Sequence, residues 1–140
     1  MESFAPDASK HLHVLRDEWS NCTACDLGKH RVSAKRGGQF IFGEGAPGRI
    51  MLIGPGPSKE DDEAGRPFMS DGGDLLRRIL THLDIQEHSY MTNIVACRSC
   101  SQSFDGEGQP KVWRDGSPAI QDRDPYGPEY EACRARLYEE

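Results

Sequence analysis

The sequence predicts an α/β domain built on a pair of parallel strands. Two apolar runs and one periodic stretch carry that prediction. Residues 50–53, Ile-Met-Leu-Ile, and residues 90–96, Tyr-Met-Thr-Asn-Ile-Val-Ala, are short and apolar, as buried strands are. Between them Leu75, Leu76, Ile79, Leu80 and Leu83 recur at helical spacing, which predicts a helix over 72–83. Strand, loop, helix, strand is one βαβ unit, so the two strands run parallel with a right-handed crossover. Ligands of such sheets bind at the carboxyl ends of the strands. One of those ends feeds residues 54–68, Gly-Pro-Gly-Pro-Ser-Lys-Glu-Asp-Asp-Glu-Ala-Gly-Arg-Pro-Phe; the other runs into residues 93–97.

The remaining elements follow in chain order. Leu12, Leu15 and Trp19 lie at helical spacing with charges between them, which predicts a helix over 11–19. Residues 21–28 break that pattern. Residues 31–48 are rich in glycine and basic side chains; within them 39–42 reads as a short strand and 43–48 as a turn. Residues 101–127 turn polar, dominated by Gly, Pro, Asp, Gln and Ser, and read as a long mobile loop pinned to the body by Val112 and Trp113. Residues 128–138 read as a closing helix. No internal repeat and no heptad pattern is visible.

A chain of 140 residues suits one domain, and 36% hydrophobic residues support a modest core. The net charge of -6 argues against non-specific coating of nucleic acid, which relies on clustered Lys and Arg. It leaves room for a local basic groove. No apolar run approaches the roughly 20 residues of a membrane span. The first seven residues have neither the basic nor the apolar region of a secretion signal. A cytoplasmic protein with no membrane partner is expected. In a reducing cytosol, clustered cysteines point to metal rather than disulfides.

Cys22 and Cys25 form one C-x-x-C pair, Cys97 and Cys100 a second, and Cys133 stands apart. A two-residue gap lets both sulfurs turn toward one ion, as in tetrahedral zinc sites. The same spacing serves iron-sulfur clusters. For any single one of these residues an ordinary buried thiol is the simpler reading. The grouping favours metal.

The Gly-Pro segment after residue 53 is longer than a strand-to-helix turn needs, the mark of a loop that holds something. Phe68, beside Pro67, reads on its own as core. Asn93 sits in an apolar strand, where a buried amide needs partners. The acids at 60–63 read as a solvated face or as a helix cap. His82 falls opposite the apolar helix face and reads as exposed; His11, His13, His30 and His88 show no partnered spacing.

Taken together, these pieces resemble the iron-sulfur uracil-DNA glycosylases, family 4 of their superfamily. The likeness runs from Cys22 to about Leu137. It rests on Cys22-Thr-Ala-Cys25 with Leu27 and Arg31, on Phe42-Gly-Glu-Gly45, and on the strand leading into the Gly54 loop. It continues through Glu60-Asp-Asp62 to Gly65-Arg-Pro-Phe68, then Gly73-Asp-Leu-Leu76, Thr92-Asn-Ile-Val95 with Cys97-Arg98, and Glu131-Ala-Cys133 with Leu137. Several spaced motifs in the right order are far more specific than one glycine loop.

The resemblance implies a three-layer α/β/α fold on a parallel sheet. It implies base excision repair: hydrolysis of the N-glycosidic bond of a uracil flipped out of DNA, since base chemistry cannot be done inside the stack. It also implies a 4Fe-4S cluster held by Cys22, Cys25, Cys97 and Cys133, with Cys100 the alternative fourth ligand. Zinc on Cys22, Cys25, Cys97 and Cys100 is the alternative metal. Gly54, Gly56, Pro57 and Ser58 would surround the base, Phe68 would stack on it, and Asn93 would read its polar edge. The alternative of another class is a non-catalytic zinc- or iron-sulfur-binding module that contacts nucleic acid or a protein partner.

The sequence also departs from the family. The acid that usually follows the first loop glycine is here Pro55, so no catalytic residue is assigned. Ser58 stands where glycine is usual. The family's later histidine loop follows two further strands, and Glu140 comes before both. The fold therefore reads as one domain over 1–140, truncated after its second core strand and open to completion by a second chain. Residues 101–127 read as a loop insertion.

Overall fold

The expected parallel pair stands at the centre of the computed structural model, which describes residues 6–32 and 38–140. The elements in chain order are α1 (Pro6–Trp19), α2 (Asp26–Val32), β1 (Glu44–Gly45), β2 (Ile50–Gly54), α3 (Lys59–Ala64), α4 (Asp71–His82), a 3-10 turn (Gln86–His88), β3 (Ser89–Asn93), β4 (Cys100–Gln102), β5 (Ile120–Asp122) and α5 (Gly127–Glu139). β2 and β3 pair in parallel from Ile50 opposite Ser89 to Gly54 opposite Asn93. Both strands therefore finish at the same level. The ladder runs slightly further, with the Ile94 N–H donating to Gly54 O at 2.8 Å and the Val95 N–H to Pro55 O at 3.2 Å.

The third strand differs from expectation. Residues 39–42 form no strand; Ile41 and Phe42 are buried, and the Ile41 N–H donates to Ala96 O at 2.8 Å. The strand lies instead in the stretch read as a turn. β1 pairs antiparallel with β3, giving the order β1-β3-β2. Gly45 makes this possible: its φ is 115°, and a Cβ there would strike the Ser89 carbonyl. Of the basic stretch expected over 31–48, residues 33–37 lie outside the described residues.

β3 is buried along its whole length, as a central strand should be. β2 is not, for it is an edge strand: Met51 is 41% and Ile53 49% exposed. α4 begins one residue before the predicted helix. Leu80 is buried, yet Leu75, Ile79 and Leu83 of the apolar stripe are exposed. Among the described residues nothing covers this part of the stripe or pairs with the outer edge of β2.

Residues 101–127 are not a structureless loop. β4 and β5 pair antiparallel, and the pairing extends through Phe104 opposite Pro110 and Val112 opposite Pro118. Two Asp-Gly turns reverse the chain, as that dipeptide does. Asp105 accepts from the Gln109 N–H and Asp115 from the Ser117 N–H, both at 2.9 Å. The aromatic pin is absent: Val112 is 60% and Trp113 58% exposed. The ribbon is fixed at its base instead. Asp122 takes the Arg98 Nε at 2.6 Å and the Lys59 N–H at 3.1 Å, which ties it to the start of α3.

Candidate functional site

Strand register brings Gly54 and Asn93 together at the carboxyl edge. Asn93 is 3% exposed, and its Nδ2 has no hydrogen-bond partner among the described residues. A Cβ added at Gly54 would collide with Asn93 Oδ1 and stand 3.1 Å from Phe68 Cζ. A buried amide, a bare glycine face and the edge of an aromatic ring thus share one spot. Leaving a buried donor unpaired costs on the order of 1–3 kcal/mol. Such a cost is tolerated where a ligand makes the bond.

The segment after β2 is held by its own side chains. Ser58 caps α3: its hydroxyl accepts from the Asp61 N–H, and its N–H donates to Asp61 Oδ2, both at 3.2 Å. Asp61 is buried and also accepts from the Met69 N–H at 2.6 Å. Within the acid run, then, Asp61 is a cap, whereas Glu60 and Glu63 face solvent. Ser58 and the other expected loop residues divide from Gly54. Pro55, Gly56, Pro57 and Ser58 line a separate hollow of about 400 Å³ with Ser99 and residues 122–125. Pro55 is exposed and brings no carboxylate to the strand end. Ser99 Oγ is buried there without a partner among the described residues.

Several residues that sequence reasoning left aside support the site. Arg136 is fully buried; its Nη2 donates to the carbonyls of Asn93 and Ile94, and its Nη1 lies 2.8 Å from the Glu140 carboxylate. Glu140 also accepts from the Thr92 hydroxyl at 2.7 Å and from the Gly43 N–H at 3.2 Å. Arg77 reaches the turn that carries Phe68 and meets Glu44 at 2.6 Å. Burial works to raise the Glu44 carboxyl, but hydrogen bonds from Arg66 and Arg77 hold it below its ordinary value. No sequence signal marks either arginine, because an arginine on an amphipathic helix reads as solvent-facing.

Cys97 and Cys133 belong to one buried apolar cluster with Leu27 and Val95, and Cys25 packs against it. Cys97 lies within electrostatic reach of Cys133 and Cys25, as Cys133 does of Cys25 and Cys22. Burial pushes the Cys97 thiol up to about 12, against the opposing pull of Arg31, and raises Cys133 too. Cys100 lies within electrostatic reach of Arg123 and lines one pocket with Cys97 and Leu27. Among the described residues no group of His, Cys, Asp and Glu stands in ligating array around a point. No helix is long and apolar enough to cross a membrane.

The fold defines a mixed α/β protein with its candidate site at the carboxyl ends of parallel strands. Residues 42–140 match the uracil DNA glycosylase superfamily, and the chain belongs to that family. It is similar to the type-4 uracil-DNA glycosylase of Pyrobaculum aerophilum, with 36% identity over 89 residues, 62% of this chain and 42% of the relative. The type-4 uracil-DNA glycosylase of Thermotoga maritima is 35% identical over 89 residues, 62% of this chain and 43% of the relative. That of Saccharolobus solfataricus is 34% identical over 91 residues, 63% of this chain and 39% of the relative. The chain spans about two fifths of the length of these relatives.

Proposed function

We propose that this chain recognises a uracil flipped out of DNA and serves hydrolysis of its N-glycosidic bond in cytoplasmic base excision repair. The observation that supports this most is the unpaired, buried Asn93 amide between Gly54 and Phe68. One amide offers a donor and an acceptor, the complement of the uracil edge, whereas cytosine presents the reversed pattern. Phe68 stacks on the base, and Gly54 lets the backbone approach it. Gly56, Pro57 and Ser58 shape the neighbouring wall, with Ser58 acting through its cap on α3.

The thiols of Cys22, Cys25, Cys97 and Cys133 suit a 4Fe-4S cluster, since soft thiolates are its natural ligands. When bound, the cluster supplies architecture by pinning α2, the segment after β3 and α5 to one another. Cys100 would replace Cys133 in the rival zinc site. The chain is read as one domain in which the ribbon is an insertion. A second polypeptide would complete the sheet along β2, where Met51 and Ile53 are exposed.

The test is binding to single-stranded oligonucleotides that differ only in one uracil, thymine or cytosine. The uracil strand binds tightest, and Phe68→Ala weakens that binding by about 1–3 kcal/mol, the usual worth of base stacking. Equal binding of all three strands, unchanged by Phe68→Ala, refutes the proposal and favours a non-catalytic metal-binding module.

A further inference from the structure

Phe68 is held in a conformation that it would not adopt unaided. Its φ is 57°, in the left-handed region, where a bulky side chain is a true outlier. Such outliers persist only when their surroundings over-determine them, and they gather at ligand sites. Two neighbours on α4 do so here. A Cβ at Gly73 would overlap the Phe68 carbonyl, so only glycine lets that carbonyl sit against the helix. One turn further along, Arg77 donates from Nη1 to Phe68 O and from Nη2 to Pro67 O, the latter at 2.9 Å. Two consecutive carbonyls are thereby caught by one planar guanidinium.

The guanidinium is itself fixed. Its Nη2 lies 2.6 Å from Glu44 Oε1, and Glu44 is held from its other side by Arg66 at 2.8 and 3.0 Å. Glu44 is part of β1, so the clamp is anchored to the sheet that also carries Asn93. We propose that Arg77 is a positioning residue for base recognition: it locks the 67–68 turn so that the Phe68 ring stays beside Gly54 and Asn93. This rests on the reading of Phe68 and Asn93 as base-binding residues. Lysine cannot replace it, because an ammonium is a point charge and lacks the rigid fork.

The test uses the chain with Arg77→Met and Arg77→Lys and has three readouts. Nuclear Overhauser contacts between the Phe68 ring and the Gly54 α-protons, without ligand, report the clamp directly. The ratio of affinities for uracil and thymine strands reports recognition. Melting temperature reports the general loss of an ion pair. With Arg77→Met, the ring contacts vanish and the affinity ratio falls about tenfold, well below the melting transition; Arg77→Lys recovers little of either. A lowered melting temperature with ring contacts and ratio intact overturns the proposal and leaves Arg77 a merely structural link. Wild-type protein that shows the ring contacts but no uracil preference refutes the base-recognition reading and the positioning role with it. Wild-type protein without the ring contacts refutes the clamp itself.

Discussion

Arg136→Met lowers the free energy of unfolding by about 3–5 kcal/mol, the usual cost of breaking a buried ion pair from one side. Both side chains of the Arg136–Glu140 pair are fully buried. Removing the guanidinium leaves the Glu140 carboxylate in the interior with, among the described residues, the Thr92 and Tyr90 hydroxyls and the Gly43 N–H for partners. It also strips the carbonyls of Asn93 and Ile94 of their donor. Denaturant unfolding of the single variants and of Arg136→Met with Glu140→Leu completes a double-mutant cycle. The double variant recovers most of the loss, because an apolar pair of similar volume carries no desolvation cost. A loss below about 1 kcal/mol for Arg136→Met would show that water or a proton reaches Glu140 in the folded state.

The same network has a functional consequence. Asn93 is useful only if its amide points at the strand edge, and its peptide is gripped by Arg136 from the α5 side. The Phe68 turn is gripped by Arg77 from the α4 side. The two residues proposed to meet the base are therefore set by two arginines on different helices, each acting through backbone carbonyls. Loosening either grip is expected to lower uracil preference without touching a group that meets the base.

How much of this was legible depended on the signal each element leaves. β3 and α4 were plain, because an apolar β-rich run marks a buried strand and a stripe of leucines at helical spacing marks a helix, even though Leu75, Ile79 and Leu83 of that stripe are exposed. β2 was legible as a strand but not as an edge strand, since which face is covered depends on neighbours. β1 was missed because a Glu-Gly pair within the glycine-rich stretch 43–48 reads as a turn; only pairing with β3 makes it a strand. The ribbon did carry hairpin signals in Asp105-Gly106 and Asp115-Gly116, but no alternation of apolar residues flanks them. Asp61 was hidden within a run of acids, and only packing selects it as the buried cap. Phe68 and Asn93 are singled out by motif, and the structure sets both beside Gly54, whereas Arg77 and Arg136 hold their backbone through geometry that no spacing encodes.

The proposed cluster, when bound, should be the largest single contributor to this chain's order. In structural zinc sites the apparent binding free energy linked to folding is about 10–16 kcal/mol, far above any one packing contact. The buried thiols of Cys97 and Cys133 are neutral without metal, so loading must displace their protons and draw the four sulfurs together. Protein purified without oxygen should be brown, with broad visible absorbance and with iron and sulfide in equal amounts. Cys133→Ser should abolish the colour and cause α5 to lose its hold on the strand ends. Cys100→Ser should keep both colour and stability, since Cys100 is not among the four proposed ligands. The pair of variants separates the two ligand sets: under the zinc alternative, Cys100→Ser is the damaging change and Cys133→Ser the silent one. Stoichiometric zinc with no iron, together with that reversed pattern, would overturn the iron-sulfur assignment.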